Sequence, residues 1–240
     1  MSYAESQFSQ YVSARTRTQL VIVFLALSVG LYLLTLLLDA YQLVILPNSV
    51  TADIASLEGG EAWPNVLRGL TALLELLVLL ITIILFSIWL HRVNKNLRSL
   101  GARNIEFTPG WAVGWFFIPF LNIYMPYKVV KEVWVKSAPD VGTGEAWQQS
   151  SSTSLVTWWW FIWIISNVLL RAAGGLSESK SPDTVFLSLK VDLFASTFRI
   201  AAGALAIMVV YGIYKRQEER SKQQIVNVPP PPPPIFATQY

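Results

Sequence analysis

Six ionisable residues, Asp39, Glu75, Arg171, Lys190, Asp192 and Arg199, interrupt or border stretches otherwise apolar enough to enter lipid. Such charges cost about 2.5–3.5 kcal/mol each at a bilayer centre and mark ion pairs, proton relays or solute paths. Glu75 precedes Leu90 by 15 residues, and Arg199 precedes Tyr214 by 15. At the helical rise both lie roughly 22 Å from the same end of their helices. Equal depth and opposite sign predict a Glu75–Arg199 pair. Asp39, Arg171, Lys190 and Asp192 fall slightly further out, in the same layer. Two chemistries fit: a headgroup-level ion-pair network that fastens helices, or an outward-facing polar cavity for an ion, lipid headgroup or small solute. Asp39 and Glu75 could pair as carboxylates, but nothing sets a nucleophile beside them. His91 is the single histidine, there is no cysteine, and two-histidine or thiolate metal sites are thereby excluded within one chain. His91 lies among basic residues at the cytoplasmic boundary, which does not suit Ser–His nucleophilic catalysis. No catalytic residue, metal ligand or cofactor is assigned, and the chain is read as a non-enzyme.

The elements that must position these charges are helices. Of 240 residues 53% are hydrophobic and only 14% charged, well under the quarter expected of a water-soluble domain. Mean hydropathy is +0.46. The expected fold is an all-α integral membrane protein with four transmembrane helices plus a re-entrant or interfacial helical hairpin. The spans are Leu20 to Leu38, about Gly69 to Leu90, Thr153 to Leu170 (ended by Arg171 and broken at Gly174 and Gly175), and Thr184 to about Tyr214. Roughly 20 apolar residues cross a core of about 30 Å. Pro47 to Asn65, with Asp53, Glu58 and Glu61 but no basic residue, reads as a loop. The organisation is a cytoplasmic N-terminal tail (1–18), a membrane-embedded helical domain (19–215) and a cytoplasmic basic, proline-rich tail (216–240). Phe8, Tyr11, Val12 and Arg15 are spaced for a short surface helix, with a loosely ordered tail as the alternative. The first apolar run, without a cleavage site, reads as a retained signal anchor.

Between the second and third spans lies Phe107 to Tyr127, FTPGWAVGWFFIPFLNIYMPY, apolar but broken by prolines. Thr108 followed by Pro109 is a helix start. Gly110 and Gly114 offer a face for close backbone approach. Pro119 and Pro126 end or kink helices. On a continuous helix Trp111, Trp115 and Asn122 share one face, as a binding platform or as packing with Asn122 bonded to a neighbouring helix. Before this stretch, Gly101 caps a helix whose basic face holds Arg92, Lys95 and Arg98. After it, Val129, Val130, Val133 and Trp134 oppose Lys128, Lys131 and Lys136 on an amphipathic helix. Short basic segments stay cytoplasmic. If 107–127 dips in and returns, Arg15, Arg17, the belt of Arg92, Lys95, Arg98, Arg103, Lys128, Lys131 and Lys136, and the basic C-terminal cluster all lie inside. A fifth, kinked span is the alternative and would put the later clusters outside.

The segment from Trp89 to Ser137 resembles a bacterial multi-pass membrane family known as domain of unknown function 4328. The resemblance rests on Trp89, Arg92, Asn96, Leu97, Gly101, Thr108, Pro109, Gly110, Trp111, Gly114, Trp115, Pro119, Asn122, Pro126 and Tyr127. It continues through WWWFIWIISN to Asn167 and covers roughly residues 15 to 215. It implies the cytoplasmic membrane of a bacterium and supplies no activity. The expected role is a non-enzymatic membrane module that binds lipid or protein. Its basic belt would meet anionic headgroups at about 1 kcal/mol per residue, and its proline run a protein partner. The other reading is a small-solute or ion transporter or channel whose broken hairpin lines the pathway, although no internal repeat is visible. A formal charge of +3 is too small to suggest nucleic acid.

Overall fold

In the computed structural model the described residues are 11–49, 63–139, 153–177 and 182–226. The proline run, most of the N-terminal tail and residues 50–62 of the acidic loop lie outside them; residues 47–49 and 63–65, expected as loop, are helical. The regular elements are α1 (Arg15–Ser49), α2 (Trp63–Ser99), α3 (Pro109–Gly114), α4 (Met125–Lys136), α5 (Ser154–Ser177) and α6 (Pro182–Val226), with single 3₁₀ turns at Trp115–Phe117 and Leu121–Ile123. No strand occurs among the described residues.

Four of these helices, α1, α2, α5 and α6, are long and apolar enough to cross a membrane. They line up in the order α2–α1–α6–α5. Hydrocarbon cannot replace a lost backbone hydrogen bond, which favours unbroken helices. That is why α5 runs straight through Gly174 and Gly175, where a break was expected; α6 continues past Tyr214 through the basic cluster, where Arg216 donates to Trp134 O and Gln217 to Val93 O. Some buried hydroxyls inside the spans are satisfied locally: Ser28, Thr71 and Thr82 each donate to the carbonyl one turn back.

Burial is uneven along the bundle. Leu33, Leu37, Leu73, Leu77, Leu80, Ile84, Phe194 and Met208 are exposed on the spans, as lipid-facing leucines must be. The fully buried large side chains gather at one end. There Val21 of α1, Trp89, Leu90, Val93 and Leu97 of α2, Val129, Val130 and Val133 of α4, Val156 of α5 and Ile213 of α6 form one cluster. The start of α1, the end of α2, the start of α5 and the end of α6 thus meet at the same end, here called the basic end. The chain from α2 to α5 therefore leaves and returns on one side, and 107–127 is not a fifth span.

Local signals set this turn. Gly101, at φ 70°, caps α2 with Ala102 N–H bonding Leu97 O and Gly101 N–H bonding Arg98 O, the paired bonds of a Schellman cap. Thr108 caps α3 by accepting from Trp111 N–H, with Pro109 in the first turn. The hairpin then departs from a continuous helix. Pro119 cannot donate, and Phe120 reverses the chain at φ 64°. Pro126 opens α4 and does not close a helix. Glu132 on α4 accepts from the backbone N–H groups of Glu106 and Phe107, which holds the incoming loop.

The closest helix contacts fall elsewhere than the sequence suggests. A Cβ on Gly110 would meet nothing within 4 Å, and one on Gly114 only the ring of Trp111. The tight approaches are at Gly203, where an added Cβ would lie 2.5 Å from Val29 Cγ2, and at Gly212, where one would lie 2.6 Å from Trp134 Cζ3. Trp134 cannot retreat easily, since Arg216 lies 3.8 Å over its ring. Gly212→Ala should therefore lower stability by about 1–3 kcal/mol through overpacking, read as a lower melting temperature in detergent. Gly110→Ala, in open space, should not.

Candidate functional site

Opposite the basic end, polar side chains of α1, α2 and α6 meet inside the apolar spans. On α1 the helical spacing puts Tyr32, Thr35, Asp39 and Gln42 on one face. On α2 a seven-residue spacing runs through Arg68, Glu75, Thr82, Trp89 and Asn96. On α6, Asp192, Ser196 and Arg199 share a face. Because α1 lies between α2 and α6, only long side chains join the outer two helices. Arg199 reaches Glu75 with Nη2 bonded to Oε2, so the depth-matched pair is present. Thr35 donates to the other oxygen of Glu75 at 2.6 Å. The Tyr32 ring sits 3.8 Å beneath the Arg199 guanidinium, a cation–π contact strengthened where water is excluded.

About two turns further out along α2, Arg68 is shared. Its Nη1 lies 3.0 Å from Asp39 Oδ1 and donates to Gln42 at 2.9 Å. Its Nη2 meets Asp192 Oδ2 at 2.5 Å. Asp39 is fully buried. A cavity of about 140 Å³ opens beside this cluster, lined by Arg68, Asp192 and Ser188 with Leu170, Ala173 and Gly174 of α5.

Of the six charges expected in the layer, the structure brings together Asp39, Glu75, Asp192 and Arg199. Arg171 is exposed on α5, and Lys190 is exposed with its ammonium 4.3 Å over the Phe186 ring. Lys190 lies two residues from Asp192, which turns it to the opposite side of α6. The residue that organises the layer, Arg68, was outside the expected set because the apolar run starts at Gly69. Its signal was the seven-residue step to Glu75.

At the basic end the expected belt divides. Lys95, Arg98 and Arg103 are exposed, and Arg92, Lys128 and Lys131 partly so. Lys128 and Lys131 lie over the rings of Tyr124 and Tyr127 at 5.0 and 5.5 Å. Lys136 turns inward, bonding Glu132 at 2.9 Å and the Asn104 carbonyl. Beneath the belt, Gln217 and Asn96 connect α2, α4 and α6. Burial and the accepting Glu218 carboxylate hold the Tyr11 phenol above its ordinary range. Tyr11 therefore remains a neutral donor fastening the segment before α1 to the end of α6.

The central motif is a lipid-facing loop more than a platform. Trp111 and Trp115 keep contact, with ring centroids 5.0 Å apart. Asn122 does not join them: the reversal at Phe120 ends the shared face, and Asn122 is exposed instead of bonded to another helix. Phe117, Phe120, Leu121, Ile123 and Tyr124 are exposed at the tip. The hairpin is fixed from behind by Trp160 Nε1 donating to Ile123 O at 2.9 Å, the Tyr127 and Thr157 hydroxyls 3.1 Å apart, and Phe86 against Phe116. Trp160, in the tryptophan run that opens α5, thus forms part of the wall behind the hairpin. His91 is exposed on α2.

No curated protein and no solved structure matches the chain. The family described as Domain of unknown function (DUF4328) matches residues 58–215, which include the capped end of α2, the broken hairpin, α4, α5 and the Glu75–Arg199 pair. With about two thirds of its length accounted for in this way, the chain belongs to that family.

Proposed function

We propose that the protein is a non-enzymatic membrane module whose basic end holds anionic lipid headgroups. The observation that carries this reading is the construction of α4 and the hairpin as one unit. Val129, Val130, Val133 and Trp134 are buried, while Lys128 and Lys131 remain accessible beside the exposed apolar tip of Phe117, Phe120 and Tyr124. Cations next to exposed aromatic and aliphatic side chains suit a surface where phosphates and acyl chains meet. The distribution of lysine and arginine favours a cytoplasmic basic end, with both termini inside the cytoplasmic membrane of a bacterium. The proline run, outside the described residues, would then be a cytoplasmic ligand for a protein partner.

Reconstitution with brominated lipids tests the headgroup claim through quenching of the hairpin tryptophans. Brominated phosphatidylglycerol should quench more strongly than brominated phosphatidylcholine, and salt should reduce the difference. Lys128→Gln with Lys131→Gln should lower the preference by up to about 30-fold, from about 1 kcal/mol per lysine. Equal quenching by the two lipids would reject the proposal.

A further inference from the structure

Three carboxylates face two guanidiniums in the intramembrane layer, so its described side chains carry one uncompensated negative charge. The groups concerned are Asp39 on α1, Arg68 and Glu75 on α2, and Asp192 and Arg199 on α6. The described part of α5 at this level contributes the apolar Leu170 and Ala173 and the backbone of Gly174 to the cavity wall. The charge is also incompletely solvated. Asp39 is 0% exposed, and although one oxygen lies near Arg68, neither has a hydrogen-bond donor aligned to it. Asp192 Oδ1 and Ser196 Oγ, one turn apart on α6, are buried without partners as well. Ser28, Thr71 and Thr82 bond to the carbonyl a turn back; Ser196 does not. A buried carboxylate without donors is unstable as a bare anion.

We propose that the layer binds one monovalent cation, a proton or an alkali-metal ion, admitted by the cavity beside Asp192 and held by the oxygens of Asp39, Asp192 and Ser196 that no hydrogen bond reaches. The deficit is one charge, so a single positive charge neutralises it. No group of three His, Cys, Asp or Glu suited to a metal ion occurs among the described residues, which disfavours a divalent ion with its demand for carboxylates. The cavity of about 140 Å³ has room for a few waters at about 30 Å³ each, enough to carry a small cation in and to complete its coordination.

The test uses the full-length chain in detergent micelles, with unfolding followed by tryptophan fluorescence on a His91→Gln background that removes the only imidazole. Melting temperatures are compared from pH 5 to 9 in choline chloride, and at pH 9 in sodium, potassium or choline chloride of equal ionic strength. Ten times the dissociation constant of the bound cation should raise the melting temperature by about 3–5 °C. A rise on acidification in choline identifies the proton; a rise with sodium or potassium at pH 9 identifies the metal ion. Asp39→Asn removes the surplus charge at nearly constant volume and should abolish either response, and Asp192→Asn serves if that variant does not fold. A parent protein indifferent to both pH and cation, or variants that keep the full response, would overturn the proposal.

Discussion

Glu75→Gln should destabilise the bundle by about 3–5 kcal/mol, the loss that follows when one partner of a buried ion pair is removed. Glutamine retains the size of the side chain and can still accept from Thr35, so the change isolates the charge. What remains is the Arg199 guanidinium, only 13% exposed, with no anion to answer it in a region surrounded by lipid. The Tyr32 ring supplies roughly 1–2 kcal/mol of compensation and cannot replace a carboxylate. Arg199→Gln should be costly for the converse reason. The double replacement Glu75→Leu with Arg199→Leu should recover most of the loss, since an apolar pair in lipid carries no desolvation penalty. Melting temperatures in micelles measure this, with about 10 °C expected for each single glutamine variant. If the double variant is no more stable than either single one, the two side chains are not coupled and the pairing is wrong.

The Glu75–Arg199 pair was legible because helical rise converts sequence distance into depth. Depth alone does not fix azimuth, and this is where the reading of the layer went astray. Arg171 and Lys190 share the layer's height but face outward, whereas Arg68 faces inward from just beyond the apolar run. Which side of a lipid-exposed helix meets its neighbours is weakly encoded when both sides are leucine. On α2 the informative signal was the recurrence of Arg68, Glu75, Thr82, Trp89 and Asn96 every seven residues.

The basic end was more legible because its signals are backbone chemistry. A glycine cap after Ser99, Thr108 before Pro109, and the lysines after Pro126 each fix a local conformation. Together with the one-sided distribution of basic residues they imply a segment that returns to its own side. The orientation of the hairpin's side chains was not encoded in the same way. Trp111, Trp115 and Asn122 share a face only if the helix continues, and a single positive φ at Phe120 removes that condition. Gly110 and Gly114 likewise looked like a contact face, whereas the steric need for glycine lies at Gly203 and Gly212, where Val29 and Trp134 press against α6. Such needs depend on tertiary neighbours and leave no local mark.

Gln217→Leu should be the most damaging neutral substitution at the basic end, lowering stability by about 2–4 kcal/mol. The Gln217 side chain is 1% exposed and uses both ends of its amide. Its Nε2 donates to Val93 O at 2.9 Å and to Ser137 Oγ at 3.0 Å. Its oxygen accepts from Asn96 Nδ2 at 3.2 Å, and the same Asn96 group donates to Val12 O at 3.0 Å. One side chain of α6 thereby joins α2 and the end of α4, and Asn96 carries the link on to the segment before α1. Leucine fills the space but leaves Ser137 and Asn96 under-satisfied in a dry site, at about 1–3 kcal/mol for each buried polar group. Adding Asn96→Leu should restore part of the loss, because removing both partners costs less than stranding one. The damage should be local. Trypsin cleavage at Lys128, Lys131 and Lys136 should accelerate in Gln217→Leu, where the end of α4 loses its Ser137 link to α6 and keeps those from Arg216 and Arg220, and stay at the parental rate in Glu75→Gln, whose defect lies toward the other end of the spans. Parental stability and protease resistance in Gln217→Leu would show that apolar packing of Trp134 and its neighbours closes the hairpin without this polar turn.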